Sequence, residues 1–378
     1  MFIITTALVF LLILSILVLV HELGHFLVAK KLGVKVEEFG FGFPPKVWGK
    51  KFGETLYSIN LLPIGGFVKL YGEDEAGGGS LQLPKNSKNT NSPRQETKDQ
   101  DRAFFSRPIW QRAVIVVAGV FMNFVLAVVI FSYLFAFQGV PTPGNTVSIV
   151  AVSHNSPAEK AGLKQGDVIV SIDSNKITDS KSLISYTKLH LGTKMIFFVK
   201  RNKEAKTFSI TPRIHAPVGE GAMGVALNQD TVVKRYPWYQ APFIGTEEAL
   251  KDSWLIVQGI GTAFSQAAVQ RKVPEGVAGP IGIAQLTGEF VKIGPNAVLS
   301  LLSLFSLNLA IVNLLPIPGL DGGRFFFILI EAITRRKTNP KFEAYAHTAG
   351  LAFLLGIFAL ISYYDLVRIF SGQSLIPR

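Results

Sequence analysis

Four stretches of the chain stay apolar and uncharged for long enough to cross a bilayer or come close to it: 1–20, 113–137, 297–320 and 348–364. A helix needs about 20 mostly apolar residues to span the hydrocarbon, so the first three qualify by length and the fourth is shorter. The first has no basic start and a longer apolar run than a cleaved leader, so it is expected to be retained. Between 36 and 71 the texture changes to short β-branched and aromatic runs broken by Gly and Pro, around Phe39, Thr55 and Gly66. That pattern predicts a small sheet or set of hairpins. Its turn, Leu61 to Val68, is apolar enough to re-enter the membrane, where non-helical backbone needs cover from protein or water; an interfacial hairpin is the plainer alternative. Residues 76–100 are rich in Gly, Ser, Asn, Lys and Pro and read as a flexible loop.

After Pro141 and Pro143 the pattern becomes that of a soluble α+β module. A strand is predicted at 146–152, then a short helix capped by Ser156 with Pro157 at its first position and Gly162 at its end. Gly166 and Asp167 turn into a strand at 168–172, followed by a helix over 180–190 and strands at 195–200 and 205–211. Residues 221–225 fit either a late strand or a linker. From 236 to 273 an amphipathic stretch carrying Trp238 and Trp254 suits a helix on the membrane surface. Gly279 and Pro280 break it before the third apolar run.

The expected fold is therefore a polytopic α-helical membrane protein of about four transmembrane helices, with a membrane-associated re-entrant β element and an inserted α+β domain. By position it divides into 1–32 (first span), 33–75 (β element), 76–106 (flexible loop) and 107–138 (second span). There follow 139–230 (the inserted domain), 231–296 (membrane-surface region), 297–321 (third span), 322–346 (cytoplasmic loop or helix) and 347–370 (fourth span).

Composition adds three limits. The chain is 48% hydrophobic and 17% charged over 378 residues, too apolar for an average soluble protein. Its 38 Lys+Arg against 26 Asp+Glu give +12, but no compact basic block with interleaved aromatics occurs, so the expected partner is the lipid bilayer and not nucleic acid. There is no Cys, so any metal must be held by His and carboxylates. The positive charge also orients the chain. Lys30, Lys31, Lys35, Lys46, Lys50 and Lys51 crowd the first loop, and Arg335, Arg336, Lys337 and Lys341 the third, which makes both cytoplasmic by the positive-inside rule. The inserted domain is then extracytoplasmic, and the first and third spans run in the same direction.

Candidate chemistry sits at the cytoplasmic end of the first span, in His21-Glu22-Leu23-Gly24-His25. Positions i and i+4 share a helix face, so His21 and His25 can grip one zinc ion with Glu22 beside it and not needed as a ligand. An ionisable residue at bilayer depth costs about 2.5–3.5 kcal/mol on insertion scales, which favours a functional reading. Asp321, at the end of the third apolar run, reaches a similar depth. Pro316, Pro318 and the glycines around it break the helix there, so its carboxylate either turns toward the metal or caps the helix that follows. Asn123, the one strongly polar side chain of the second span, is expected to bond between helices.

The string Ser156 to Asp173 (SPAEKAGLKQGDVIVSID) resembles a bacterial PDZ domain, a fold that binds extended peptides by strand addition. HELGH at 21–25, the Gly-Gly-Phe-Val turn at 65–68, the PDZ-like insert and NLLPIPGLDGG at 313–323 together resemble the site-2 protease family of intramembrane zinc metalloproteases. The similarity is to the branch typified by the bacterial regulator of sigma-E protease, with one clear PDZ copy in place of a tandem and Val120 where Pro is common. The resemblance implies one zinc ion held by His21, His25 and Asp321, with Glu22 catalytic. It implies substrate contacts at Gly65, Gly66, Phe67, Val68, Lys69, Leu70, Asn313 and Pro316. The substrates would be single-span membrane proteins or peptides cleaved in regulated intramembrane proteolysis, such as anti-sigma factors or signal-peptide remnants. A peptide ligand for the PDZ domain and a location in the bacterial inner membrane follow from the same likeness. The competing class is a non-enzymatic membrane PDZ scaffold or chaperone with a structural metal.

Overall fold

The computed structural model describes residues 2–73, 100–217, 219–270 and 278–371. The loop expected at 76–100 lies almost wholly outside the described residues. Its expected end at 106 is too late: Phe104–Ser106 form a 3-10 turn, with Ala103 and Phe104 buried. Phe104 joins an apolar cluster with Phe26, Val34 and Ile115, so burial fixes this segment where its polar surroundings suggested a loop.

The chain divides into two compact units, one of 1–134 with 237–378 and the other Phe135–Tyr236. In the first, helix α1 runs Phe2–Lys31, with Lys30 and Lys31 in its last turn and Gly33 just beyond at φ 75°. Basic side chains favour the negative end of the helix dipole, and the left-handed glycine stops it. Helix α2, Ile109–Tyr133, lies against α1 so closely that a Cβ on Gly24 would stand 2.3 Å from the Ala118 carbonyl oxygen. Glycine at that point permits backbone-to-backbone contact of the kind membrane helices use in place of a hydrophobic driving force.

Among the described residues four helices are long and apolar enough to span a membrane: Phe2–Lys31, Ile109–Gln138, Pro295–Leu314 and Lys341–Phe370. Exposed Ile3, Ile4, Leu8 and Leu12 along α1 are the surface a lipid environment would cover. The third span differs from expectation. Its helix ends at Leu314, and Asp321 opens a separate helix, Asp321–Thr334. Leu315 is extended (φ −62°, ψ 142°) because it precedes Pro316, whose ring disfavours the helical conformation in the residue before it. The region expected on the membrane surface at 231–296 contains two helices, Ala241–Gln270 and Pro280–Ile293. The second is anchored at its start by buried Asp365, which accepts from Gly279 N at 2.9 Å and Gly282 N at 2.7 Å.

Strands β1 (Val36–Phe52) and β2 (Thr55–Leu70) fold into one sheet. Phe39, Gly40 and Phe41 each pair on both sides, with Val68, Phe67 and Gly66 and again with Tyr57, Ser58 and Ile59. Residues 66–70 therefore form an outer edge of the sheet. Thr55 Oγ1 donates to Val36 O and Asn60 Nδ2 to Gly42 O, both at 2.9 Å, so these two buried side chains are satisfied within the sheet, whereas the buried Ser58 hydroxyl has no partner among the described residues.

The second unit holds a sheet in the order β7-β6-β4-β3-β8, with β5 (Asn175–Lys176) on β4. Its strands are β3 (Val140–Val152), β4 (Val168–Ile172), β6 (Met195–Arg201), β7 (Glu204–Ile210) and β8 (Val225–Lys234). Residues 221–224 lead into β8, which runs past the expected end of the domain at 230. The strand continues because it ladders with the long β3 from Val152↔Val225 to Val140↔Lys234. Ser156 caps Pro157–Lys160 by accepting from Glu159 N, and Asp179 caps Ser180–Leu189 by accepting from Ser182 N. Val147, Ile149, Ile169, Leu183 and Phe197 fill the core.

One buried charge matters to this unit. Arg201 grips Asp167 with Nε to Oδ1 at 2.6 Å and Nη2 to Oδ2 at 2.7 Å. Burial alone would raise the Asp167 carboxyl, but the hydrogen bonds from Arg201 and from Lys164 N outweigh it and hold the group below its ordinary value. A depressed carboxylate stabilises the fold above the unfolded value of about 4 and loses that share as pH falls through the lower folded value. Asp167→Ala leaves Arg201 without its counter-charge, with only the Gly162 carbonyl at 2.7 Å still accepting from it, and should destabilise the unit by about 3 kcal/mol. Faster hydrogen exchange in β4 and β6 of the full chain would show it; unchanged exchange would mean that the pair is dispensable.

Candidate metal centre

The HELGH sequence lies on α1 with His21 and His25 one turn apart, their Nε2 atoms 3.3 Å from each other. Asp321 Oδ2 meets both, at 2.9 Å from His21 Nε2 and 3.3 Å from His25 Nε2. The three side chains are 8%, 12% and 21% exposed, so the cluster is secluded from solvent without being sealed. One ligand atom from each lies within 4.8 Å of the others, the separation at which a single ion can bind all three.

Local structure brings Asp321 there. Leu320, not Asp321, takes the cap position of the following helix, and no side chain caps it. The Asp321 carboxylate is thus turned away from the helix start and toward the imidazoles. Two ion pairs brace that helix. Arg112 on α2 meets Glu331 at 2.7 Å with both side chains buried, and Arg324 pairs with Glu73 just past the end of β2. Such pairs repay little net stability after desolvation, but they fix how neighbouring elements are placed.

Helix α2 forms the back of the site. His25 Nδ1 donates to the Ile115 carbonyl at 2.8 Å, which commits the ring proton to Nδ1 and leaves Nε2 with its lone pair. One turn on, Gly119 leaves room for both rings: a Cβ there would stand 2.3 Å from His25 Nε2 and 2.8 Å from His21 Cε1. Another turn on, Asn123 is fully buried with Nδ2 at 3.3 Å from His21 Nδ1. The sequence reading missed Ile115 and Gly119. A backbone carbonyl leaves no trace in sequence, and Gly119 was legible only as a small residue one helical turn before Asn123.

Of the expected substrate contacts, Gly66 lies nearest the chemistry: a Cβ on it would stand 3.7 Å from Glu22 Cγ. Glu22 itself is half-buried. Gly65 and Gly66 are buried, Phe67 and Val68 half-buried, and Lys69 is exposed. The Leu70 side chain packs into the cluster around Phe26 and Val34, so it does not line a cleft. Asn313 Nδ2 stands 3.4 Å from His21 Nε2, while Pro316 is exposed in the turn before Asp321.

The donor set suits zinc. Two imidazoles and one carboxylate match sites that keep a fourth position for water or substrate, and the commitment of His25 to the Nδ1–H form is what ligation through Nε2 requires. Among the described residues no fourth His, Cys, Asp or Glu completes a closed site around these three.

Comparison with known proteins agrees with this chemistry. Residues 9–357 match the model for Peptidase family M50. A Clostridium perfringens relative is 34% identical over 355 residues, covering 93% of this chain and 96% of its own. The regulator of sigma-W protease RasP of Bacillus subtilis is 30% identical over 431 residues, covering 97% of this chain and 99% of its own. A solved PDZ domain from an SdrC-like protein of Listeria monocytogenes is 24% identical, covering 23% of this chain and 93% of its own with a TM-score of 0.21.

Proposed function

The chain belongs to peptidase family M50 and is a multi-pass zinc metalloendopeptidase, and from that premise we propose that it cleaves the membrane-spanning segments of single-span substrates at the centre formed by His21, Glu22, His25 and Asp321. The approach of Asp321 Oδ2 to both histidine Nε2 atoms carries the reading. His21, His25 and Asp321 would hold the zinc, which when bound would supply Lewis acidity to acidify water and polarise the scissile carbonyl. Glu22 takes a proton from the attacking water and hands it to the leaving amide nitrogen as the C–N bond breaks. Asn313 lines the same cleft, with its amide beside His21.

A spanning substrate arrives helical, with its carbonyls internally bonded, and must unwind before it can be attacked. The sheet edge at 66–70, with Gly66 against Glu22, offers replacement hydrogen bonds to the unwound strand. This element is the membrane-associated, re-entrant part of the fold. The basic loops after α1 and around 335–341 put the active centre toward the cytoplasm and the PDZ-like unit outside. The RasP relative is named a regulator of sigma-W protease, which supports a role in regulated proteolysis; the substrate classes that the family resemblance implies are anti-sigma factors and signal-peptide remnants.

Stripping the metal from the purified full chain with a chelator should stop cleavage of a membrane-spanning reporter, and added zinc should restore it. Cleavage that persists through chelation would overturn the proposal.

A further inference from the structure

Both histidines lean on α2, yet only one of them faces an acceptor there. His25 Nδ1–H points at the Ile115 carbonyl. Two turns along the same helix face His21 meets Asn123, whose Nδ2 is the nearer atom at 3.3 Å and whose Oδ1 has no partner among the described residues, although the side chain is fully buried. An imidazole that presents Nε2 to a metal carries its proton on Nδ1, so the group opposite must accept. An amide NH2 in that place sets donor against donor. The oxygen and nitrogen of an amide exchange places by a half-turn, and the hydrogen-bond network decides between them.

We propose that Asn123 is the positioning residue for His21: in the zinc-loaded protein its Oδ1 accepts the Nδ1–H of His21 and so aims Nε2 at the metal. The arrangement mirrors Ile115 and His25. Residues 115, 119 and 123 repeat at four-residue intervals on α2 and oppose 25 and 21 on α1, with Gly119 keeping the space between them open. The Asn123 turn is itself held, because its carbonyl accepts from Ser306 Oγ at 2.7 Å on the Pro295–Leu314 helix. An Asn that merely glued helices together would have no reason to satisfy His21.

The inference rests on the assignment of His21 as a zinc ligand, so His21→Ala serves as the control and must lose zinc. In the detergent-purified full chain, Asn123→Leu keeps the branched shape and removes the acceptor. It should weaken zinc affinity about 10–100-fold, the usual effect of losing such a partner, while Asn123→Asp, which still accepts, should bind within a few-fold of the unaltered protein. Zinc binding by Asn123→Leu at full affinity, or a loss by Asn123→Asp as large as that of the leucine variant, would overturn the inference while leaving the zinc assignment intact. Should neither variant fold, histidine-15N NMR of the unaltered zinc-loaded chain decides. A slowly exchanging proton on His21 Nδ1 is expected, and a proton on Nε2 would refute the proposal.

Discussion

Glu22→Gln is expected to keep the zinc and lose cleavage, with turnover of a membrane-spanning reporter falling about 10²–10⁴-fold, the range that a positioned acid or base contributes. The amide retains the volume of the carboxylate and can still hydrogen-bond, so the packing against Gly66 and the positions of His21 and His25 should survive. What it cannot do is take a proton from water and return it to the leaving nitrogen. The measurement pairs metal content with cleavage in the same preparation. Full zinc with undiminished cleavage would remove Glu22 from the chemistry; loss of both would mean that the residue has a structural role.

The second large effect concerns Asp321. Replacing it with Ala removes the oxygen that stands 2.9 and 3.3 Å from the two imidazoles, and zinc affinity should fall by more than the 10–100-fold typical of an outer-shell partner. The substitution is gentle on the helix that Asp321 begins, since no side chain caps that helix and alanine is the best helix former. A chain that folds and binds zinc unchanged would return Asp321 to a plain helix-start residue. The two variants separate the roles: one keeps the metal and loses the reaction, the other loses the metal.

Much of this architecture was legible before any coordinates. The apolar runs marked the spans, and the cap at Ser156 and the glycine at 162 marked the start and end of the first short helix of the inserted unit. These are local signals, carried within a few residues of where they act. The misjudgements fell where a distant partner overrode local texture. Gln100 to Ser106 read as loop because its neighbours are polar, yet burial of Phe104 fixes it. The third span was bounded at Asp321 with its end broken by Pro316 and Pro318, whereas the helix already stops at Leu314 and Asp321 opens a helix of its own.

By itself the sequence determined that His21 and His25 share a face, because an interval of four on a helix is fixed by backbone geometry whatever surrounds it. It also determined that any metal here binds through nitrogen and oxygen, because the chain has no thiol. Which carboxylate reaches the pair, which histidine Asn123 meets and which strand edge lies beside Glu22 were decided only by tertiary structure. Those contacts join residues far apart along the chain, with separations of 102 for Asn123 to His21 and 300 for His21 to Asp321. They depend on how helices slide and rotate against one another, which hydrophobic pattern leaves open and close packing at Gly24 and Gly119 closes.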